Sequence, residues 1–130
     1  MSDVKAIRYL LANNAPLIAT VPATRIVAGV LPQGTAAPAL AITHISTLRR
    51  HMVADGEELC TSRVQVTLVA TTYPALMSLR DLVKTALPRS RGTVNGVRVD
   101  SVLFGSEGPD FDDEAGLLMR SLDFFITYTE

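Results

Sequence analysis

Few residues of the chain are of the types that usually do chemistry. His44 and His51 are the two histidines, and Cys60 is the single cysteine. A metal site or a general base needs companion side chains at fixed spacing, and the sequence has no HExxH or HxH motif. We interpret His44 as a core or interface residue, His51 as a solvated residue, and Cys60 as a small apolar residue where a strand begins. The alternative for Cys60 is a thiolate nucleophile, which would require a nearby base.

Carboxylates are densest in the stretch 105–114, which has no basic residue. An EF-hand loop places acidic ligands at alternate positions around a central glycine, and this stretch lacks that spacing. The default interpretation is a solvated acidic loop, followed by a partner contact and lastly by a metal site. The glycines form neither a GxGxxG nor a GxxxxGKS/T phosphate loop. The sequence therefore predicts no catalytic, cofactor-binding or metal site.

Two short basic stretches could contact phosphates or acidic partners. Arg49 and Arg50 are adjacent, and Arg89 and Arg91 flank Ser90. Aromatic residues for base stacking do not alternate with them, and a net charge of −1 does not fit a nucleic-acid-binding protein with one dominant basic face. Opposite charges on neighbouring copies favour self-association. We therefore predict a subunit or partner interface that includes Arg49, Arg50, Arg89, Arg91, Asp110, Asp112, Asp113 and Glu114.

The composition is that of a single globular domain. Apolar residues make up 48% of the 130 residues and charged residues 19%, a balance that fits a folded core. A chain of this length usually forms one domain, so we predict a single domain over residues 1–130. No apolar run approaches the roughly 18–20 residues of a membrane-spanning helix. Asp3 and Lys5 lie where a secretory signal would have its apolar stretch, and we predict a soluble, cytoplasmic protein.

Apolar residues at helical spacing predict two main helices. The first begins at Ser2 or Asp3, either of which can accept hydrogen bonds from the free N–H groups of a first turn, and it ends near Asn14. The second begins after Tyr73, where a proline suits the first turn, and ends before Pro88. We expect these two helices to pack on the strands and so to fix the positions of the loops between them.

Strand patterns occur in four places. In the second of them Arg63 and Gln65 alternate with Val64 and Val66, which predicts one polar face and one buried face. Residues 95–96 are an Asn-Gly pair typical of a hairpin turn, and residues 25–27 fit a further short strand. The four main strands are predicted at 39–48, 61–72, 97–104 and 117–129.

The order of elements is helix, strand, strand, helix, strand, strand, with mostly short connections. Strands joined by short connections pair antiparallel, and two helices can then cover one face of the sheet. We therefore predict an α+β fold of two layers, with a mostly antiparallel four-stranded sheet and two main helices on one face.

Three stretches of the sequence carry a resemblance when taken together. They are Arg25-Ile26 with Leu31-Pro32-Gln33-Gly34 and Pro38, then Arg63-Val64-Gln65-Val66 running to Thr72-Tyr73, and finally Leu122-Asp123-Phe124. In this order and spacing, most of the chain resembles the tail-completion, or tail-terminator, proteins of long-tailed bacteriophages of the siphophage type. Members of that family often place an aromatic residue soon after the proline that corresponds to Pro38, whereas this chain continues with Ala39-Leu40.

This resemblance implies an α+β subunit that forms a ring, typically a hexamer, at the head-proximal end of the tail tube in the virion. The ring stops tube polymerisation and presents a surface to the head–tail connector protein. DNA passes through its lumen without sequence-specific binding. The implied partners are further copies of the chain, the tail tube protein and the connector, with no enzyme activity, cofactor or membrane involved and with assembly in the host cytoplasm. The loops 29–38, 52–59 and 105–114 are the expected places of contact.

Three other classes of function remain as alternatives. The first is another head–tail connector, neck or baseplate component of similar fold. The second is a small enzyme, which would need a pocket with perturbed titratable groups. The third is a nucleic-acid-binding regulator, which would bind DNA in a salt-dependent way. Acidic residues facing a lumen would repel the DNA backbone, and the sequence leaves open whether 107–114 faces a lumen or the outside of a ring.

Overall fold

The computed structural model describes residues 2–32, 36–51, 58–87, 91–112 and 116–129. Within these ranges the chain forms three α-helices, one 3-10 turn and seven β-strands. The helical elements are α1 (Ser2–Ala12), α2 (Ala15–Ile18), the 3-10 turn Ala23–Arg25, and α3 (Tyr73–Ala86). The strands are β1 (Ile26–Ala28), β2 (Ala39–His51), β3 (Glu58–Ala70), β4 (Gly92–Val94), β5 (Val97–Glu107), β6 (Phe111–Asp112) and β7 (Leu118–Thr129).

Helix α3 shows how local sequence sets an element. The side-chain oxygen of Thr72 accepts a hydrogen bond from the backbone N–H of Ala75, which satisfies one of the free donors at the helix start. Pro74 lies in the first turn, where it needs no donor. The buried side chains of Leu76, Leu79 and Val83 form one stripe along the helix. This stripe holds α3 against β3 and β7, which it contacts.

The sheet is mixed and has the strand order β1-β2-β3-β7-β5-β4, with β6 paired to β7 outside this path. Four long strands form its centre, and β2–β3, β3–β7 and β7–β5 are all antiparallel. The short strand β1 adds in parallel to the start of β2, where Ile26 pairs with Leu40 and Ala28 with Ile42. Asn95 and Gly96 form the turn between β4 and β5 with positive φ at both residues, as the Asn-Gly signal predicts.

One hydrophobic core lies between the helices and one face of the sheet. On β3 the side chains of Val64, Val66 and Leu68 are fully buried while Arg63 on the alternate face is exposed, so the predicted alternation is confirmed. The same core receives Ile7 from α1. We call the side of the sheet that carries this core the core face, and the opposite side the outer face. From β7 the core face receives Leu122, Phe124, Ile126 and Tyr128.

The predicted number of strands is wrong, because the sheet has seven strands among the described residues rather than four. The four predicted strands correspond to β2, β3, β5 and β7, and the additional ones are short strands at the edges or beside β7. Strand β1 also makes the sheet mixed. The predicted bounds 39–48 and 61–72 are partly wrong as well, because β2 continues to His51 and β3 begins at Glu58 and ends at Ala70. The two-layer arrangement stays a prediction.

The predicted loop 105–114 is also partly strand. Strand β5 continues to Glu107, and β6 follows at Phe111–Asp112. Both segments gain backbone partners on β7: Glu107 pairs with Leu122 and Phe111 with Met119. This pairing, which local sequence does not show, overrides the turn-like composition of the stretch. The two main helices lie where the periodicity predicts them.

Candidate functional site

A network of ion pairs joins α3, the end of β5 and β7 on the core face of the sheet. Arg120 on β7 donates to Glu107 through Nη1 at 2.6 Å, to Asp110 through Nε at 2.5 Å and to the hydroxyl of Tyr73 through Nη2 at 3.2 Å. Its side chain is only 13% exposed. Because Arg120 lies opposite Leu68 on the paired strand, it points toward α3 rather than to the outer face. The network therefore fixes the segment 107–110 against the helix.

Glu107 is shared between two arginines. Arg80 on α3 donates to its Oε1 from Nη2 at 2.9 Å, and its Nε contacts the other carboxylate oxygen. The hydrogen bond from Arg80, reinforced by Arg120, holds the pKa of Glu107 below its usual value. The hydrogen bond from Arg120 lowers the pKa of Asp110 in the same way. Both carboxylates are thus anions at neutral pH, which suits a structural clamp rather than proton transfer.

A second polar cluster lies on the outer face around Asp123 of β7. Asp123 is only 6% exposed, yet it faces away from the core. Its carboxylate accepts hydrogen bonds from Arg63 Nε at 3.1 Å, Ser106 Oγ at 3.1 Å and Gln65 Nε2 at 3.4 Å. The Nη2 group of Arg63 contacts Oδ2 of Asp123, the same oxygen that accepts from Arg63 Nε and Ser106 Oγ. Asp123 thereby joins β3, β7 and β5 through their side chains.

Sequence reasoning noted Asp123 only as part of the resemblance and missed this cluster. The available signal was alternation, because Arg63 and Gln65 lie on the polar face of one strand and Asp123 lies among alternating apolar residues in another. The register that brings Gln65 opposite Asp123 depends on strand pairing between distant segments.

Exposed apolar side chains also lie on the outer face. Leu103 of β5 is 56% exposed and pairs with Phe125 of β7, which is 40% exposed. Leu48 of β2 is 60% exposed and lies opposite Thr61. Exposed apolar side chains that lie next to one another, as Leu103 and Phe125 do, often mark a surface that binds another protein.

The predicted interface residues lie on separate parts of the sheet. Arg49 and Arg50 are exposed at the end of β2, and Arg91 is exposed just before β4. Asp110 and Asp112 are exposed beside the start of β7, at and before β6. Asp110 already pairs with Arg120 within the chain. Three further predicted residues, Arg89, Asp113 and Glu114, lie outside the described residues.

His44, Cys60 and His51, the histidines and the cysteine of the chain, lie in or at the end of strands. His44 contacts Asp3 through Nδ1, and Asp3 is buried and also accepts a hydrogen bond from the N–H of Val4 at 2.8 Å. Cys60 is buried, as its interpretation as a small apolar residue predicts, and Arg49 Nη1 lies 3.7 Å from its sulfur. His51 lies at the end of β2.

Neither a metal centre nor a membrane helix occurs in the part of the chain that the structure describes. No three histidine, cysteine, aspartate or glutamate side chains there are grouped so that they could hold a metal ion. None of the described helices is both long enough and apolar enough to cross a membrane.

A family model described as "Tail completion protein gp17" matches residues 5–129. The fold is similar to that of a chain in a solved structure described as "Virion of native gene transfer agent (GTA) particle", with a TM-score of 0.72 and 14% sequence identity over 100% of this chain and 95% of that chain. At this identity the likeness shows the fold alone. No curated protein matches the chain.

Proposed function

The chain belongs to the tail completion protein gp17 family, and from that membership we propose that it forms a ring at the head-proximal end of a bacteriophage tail tube. Its role as a structural component of a phage tail follows from the family itself. The observation that carries the finer proposal is the family match, which extends over residues 5–129. In this role the ring ends polymerisation of the tube and joins the tail to the head–tail connector.

A ring requires one surface of each subunit to meet a different surface of the next, with a rotation that closes. The partners are then further copies of the chain within the ring, the tail tube protein on one side and the connector protein on the other. The exposed pair Leu103 and Phe125 supports this, because it gives the chain an apolar patch on the outer face, and Leu48 adds a separate exposed apolar side chain on β2.

The interface also includes the charged residues that the sequence singles out. Arg49, Arg50, Arg91 and Asp112 are exposed and so are accessible to neighbours. Asp110 has a different part in the interface, because its ion pair with Arg120 fixes the position of the residue immediately before β6. The full proposed set is Arg49, Arg50, Arg89, Arg91, Asp110, Asp112, Asp113 and Glu114.

DNA passes through the lumen of such a ring without sequence-specific binding. The acidic stretch 105–114 suits a conduit if it faces the lumen, because carboxylates repel the phosphate backbone. The chain then belongs to the virion, at the joint between head and tail, after assembly in the host cytoplasm.

Mass in solution and effect on tube length test this proposal together. Purified tail tube protein from the same genome is polymerised with and without the chain, tube lengths are measured by negative-stain electron microscopy, and the mass of the chain is measured by light scattering. The proposal predicts shorter tubes capped at one end by a closed ring, which forms either in solution or only on the tubes.

A stable monomer or dimer that never binds tube ends would contradict the proposal. Binding to the tube end that carries the baseplate would instead favour a baseplate component of the same fold.

A further inference from the structure

Two long strands of the sheet have edges that are only partly paired among the described residues. Strand β1 pairs with β2 only at Leu40–Ile42, so among the described strands residues 43–51 of β2 have a neighbour, β3, on one side only. Strand β4 pairs with β5 only at Val97–Val99, so among the described strands residues 100–107 of β5 have a neighbour, β7, on one side only. A strand edge of this kind can pair with a strand of another chain through its backbone N–H and C=O groups.

The two edges carry opposite charge. Residues 43–51 include Arg49 and Arg50 and no carboxylate, whereas residues 100–107 include Asp100 and Glu107 and no basic residue. Pairing of β2 with β2, or of β5 with β5, would place like charges together, whereas pairing of β2 with β5 places opposite charges together. Glu107 is already held by Arg80 and Arg120, so Asp100 is the carboxylate through which this preference acts.

The strand directions also favour pairing between the two different edges. From β2 through β3 and β7 to β5 there are three antiparallel steps, so β2 and β5 run in opposite directions. A rotation about an axis roughly along the strands keeps β2 of the next copy in its original direction. That strand then runs antiparallel to β5 of the first copy, and repetition of the same step closes a ring.

Side chains set the register of this pairing, because residues that lie opposite one another across two strands share a face of the sheet. Leu48 faces outward with Thr61 and Thr127, and Leu103 faces outward with Phe125. Both leucines are more than half exposed. A register with Leu48 opposite Leu103 buries both of them, and it also brings Arg50 opposite Ser101, one residue from Asp100.

We propose that β2 of one copy pairs antiparallel with β5 of the next, with Leu48 against Leu103, so that the sheet continues from subunit to subunit. The inference rests on the proposed function in that the pairing supplies the contact between neighbouring subunits of the ring. The bulges at Asp100 and Gly105 of β5 limit the pairing in this register to residues 47–50 of β2 against 101–104 of β5, and the bulge at Ile45 lies outside this segment.

Disulfide trapping tests the pairing directly. In a Cys60→Ala background, Leu48→Cys and Leu103→Cys are made in separate chains, which are mixed under assembly conditions and mildly oxidised. Directly opposite residues on paired strands have the Cα separation that a disulfide needs. The proposal predicts a cross-linked dimer in the mixture and in neither chain alone, and a ladder of cross-linked species from a chain that carries both cysteines.

The control pairs Leu48→Cys with Val30→Cys, because Val30 is also apolar and is 91% exposed but lies outside both edges. Light scattering on the same samples separates two kinds of failure. A multimer without the Leu48–Leu103 cross-link, or a cross-link formed by Leu48→Cys alone, would overturn the strand pairing and leave the ring proposal intact. Absence of any multimer, in solution and on tubes, would overturn both.

Charge reversal gives a second measurement that needs no cysteine. Arg50→Glu and Asp100→Arg should each weaken association, and the two together in one chain should restore it, because the opposite charges meet again with their signs exchanged. Circular dichroism of each variant confirms that it is folded. Lack of restoration in folded protein would contradict the register.

Discussion

The ring of Phe125 on β7 lies against the backbone of Gly105 on the neighbouring strand β5. A methyl carbon built on Gly105 would lie 2.8 Å from Cδ2 of Phe125 and 3.2 Å from the backbone oxygen of Asp123. Gly105 also lies where the pairing of β5 with β7 shifts register, between Phe104 and Ser106. A glycine at this point lets an aromatic side chain cover the bulge, and it brings Ser106 to the carboxylate of Asp123.

Replacement of Gly105 by alanine should therefore destabilise the chain. The added carbon forces the Phe125 ring out of its position, with an expected loss of about 1–3 kcal/mol of unfolding free energy. Urea denaturation measures this loss. Gly108→Ala is the matched control, because its added carbon would lie 3.6 Å from the nearest atom, at ordinary contact distance. Equal losses in the two variants would contradict the close packing of Phe125 on Gly105.

The carboxylate of Asp123 should contribute measurably to stability. Asp123→Ala leaves the side chains of Arg63, Gln65 and Ser106 without their shared acceptor, and we expect a loss of about 1–2 kcal/mol. The loss stays below that of a fully buried pair because Arg63, which is 45% exposed, can turn to water. Asp112→Ala, at an exposed aspartate, should change stability by no more than about 0.5 kcal/mol. A negligible effect of Asp123→Ala in urea denaturation would refute this role.

The ion pairs of Glu107 with Arg80 and Arg120, here called the Glu107 clamp, should make the stability of the fold depend on pH in the acid range. Because its folded-state pKa is lowered by Arg80 and Arg120, the folded chain binds fewer protons than the unfolded chain there. The clamp's contribution is therefore present above the ordinary carboxylate pKa and is lost as the pH falls through the lowered value. Thermal melts from neutral to acid pH should show Glu107→Gln less stable than the unchanged chain at neutral pH, with the difference shrinking in acid. A constant difference would contradict the linkage.

The hydrogen bond at the start of α3 should stabilise the fold by as much as a typical N-cap hydrogen bond does. Thr72→Ala removes the acceptor for the N–H of Ala75 and should cost about 1 kcal/mol of unfolding free energy. Thr71→Ala changes the exposed residue immediately before it and should have little effect. Thermal unfolding of the two variants side by side measures the difference, and equal stabilities would show that the cap is dispensable.

Local patterns predict the elements whose own residues determine them. The alternation around Val64 and Val66 predicts β3, and the Asn95-Gly96 pair predicts its turn, because in both cases the signal lies within one segment. Residues 25–27 likewise predict the short strand β1, which the structure has at Ile26–Ala28. The continuation of β2 through Arg49 and Arg50 depends instead on its backbone partner β3. Charged residues at the end of a strand resemble a loop until the partner strand is known.

The charges of Arg49, Arg50 and Asp112 are visible in the sequence, and the structure places these three residues at the surface, while their part in an interface stays a prediction. The pairing of Asp110 with Arg120 and of Asp123 with Arg63 is not visible in the sequence, because each joins side chains whose proximity depends on the register of β7. Long-range register is set by the packing of the whole sheet rather than by any one segment.

Electron cryomicroscopy of the head–tail joint of assembled particles tests the central claim most directly. The account predicts a closed ring of this fold between the last tube ring and the connector, with one subunit's β2 beside the next subunit's β5. Particles that carry this fold only at the distal end of the tail, or nowhere in the tail, would contradict it.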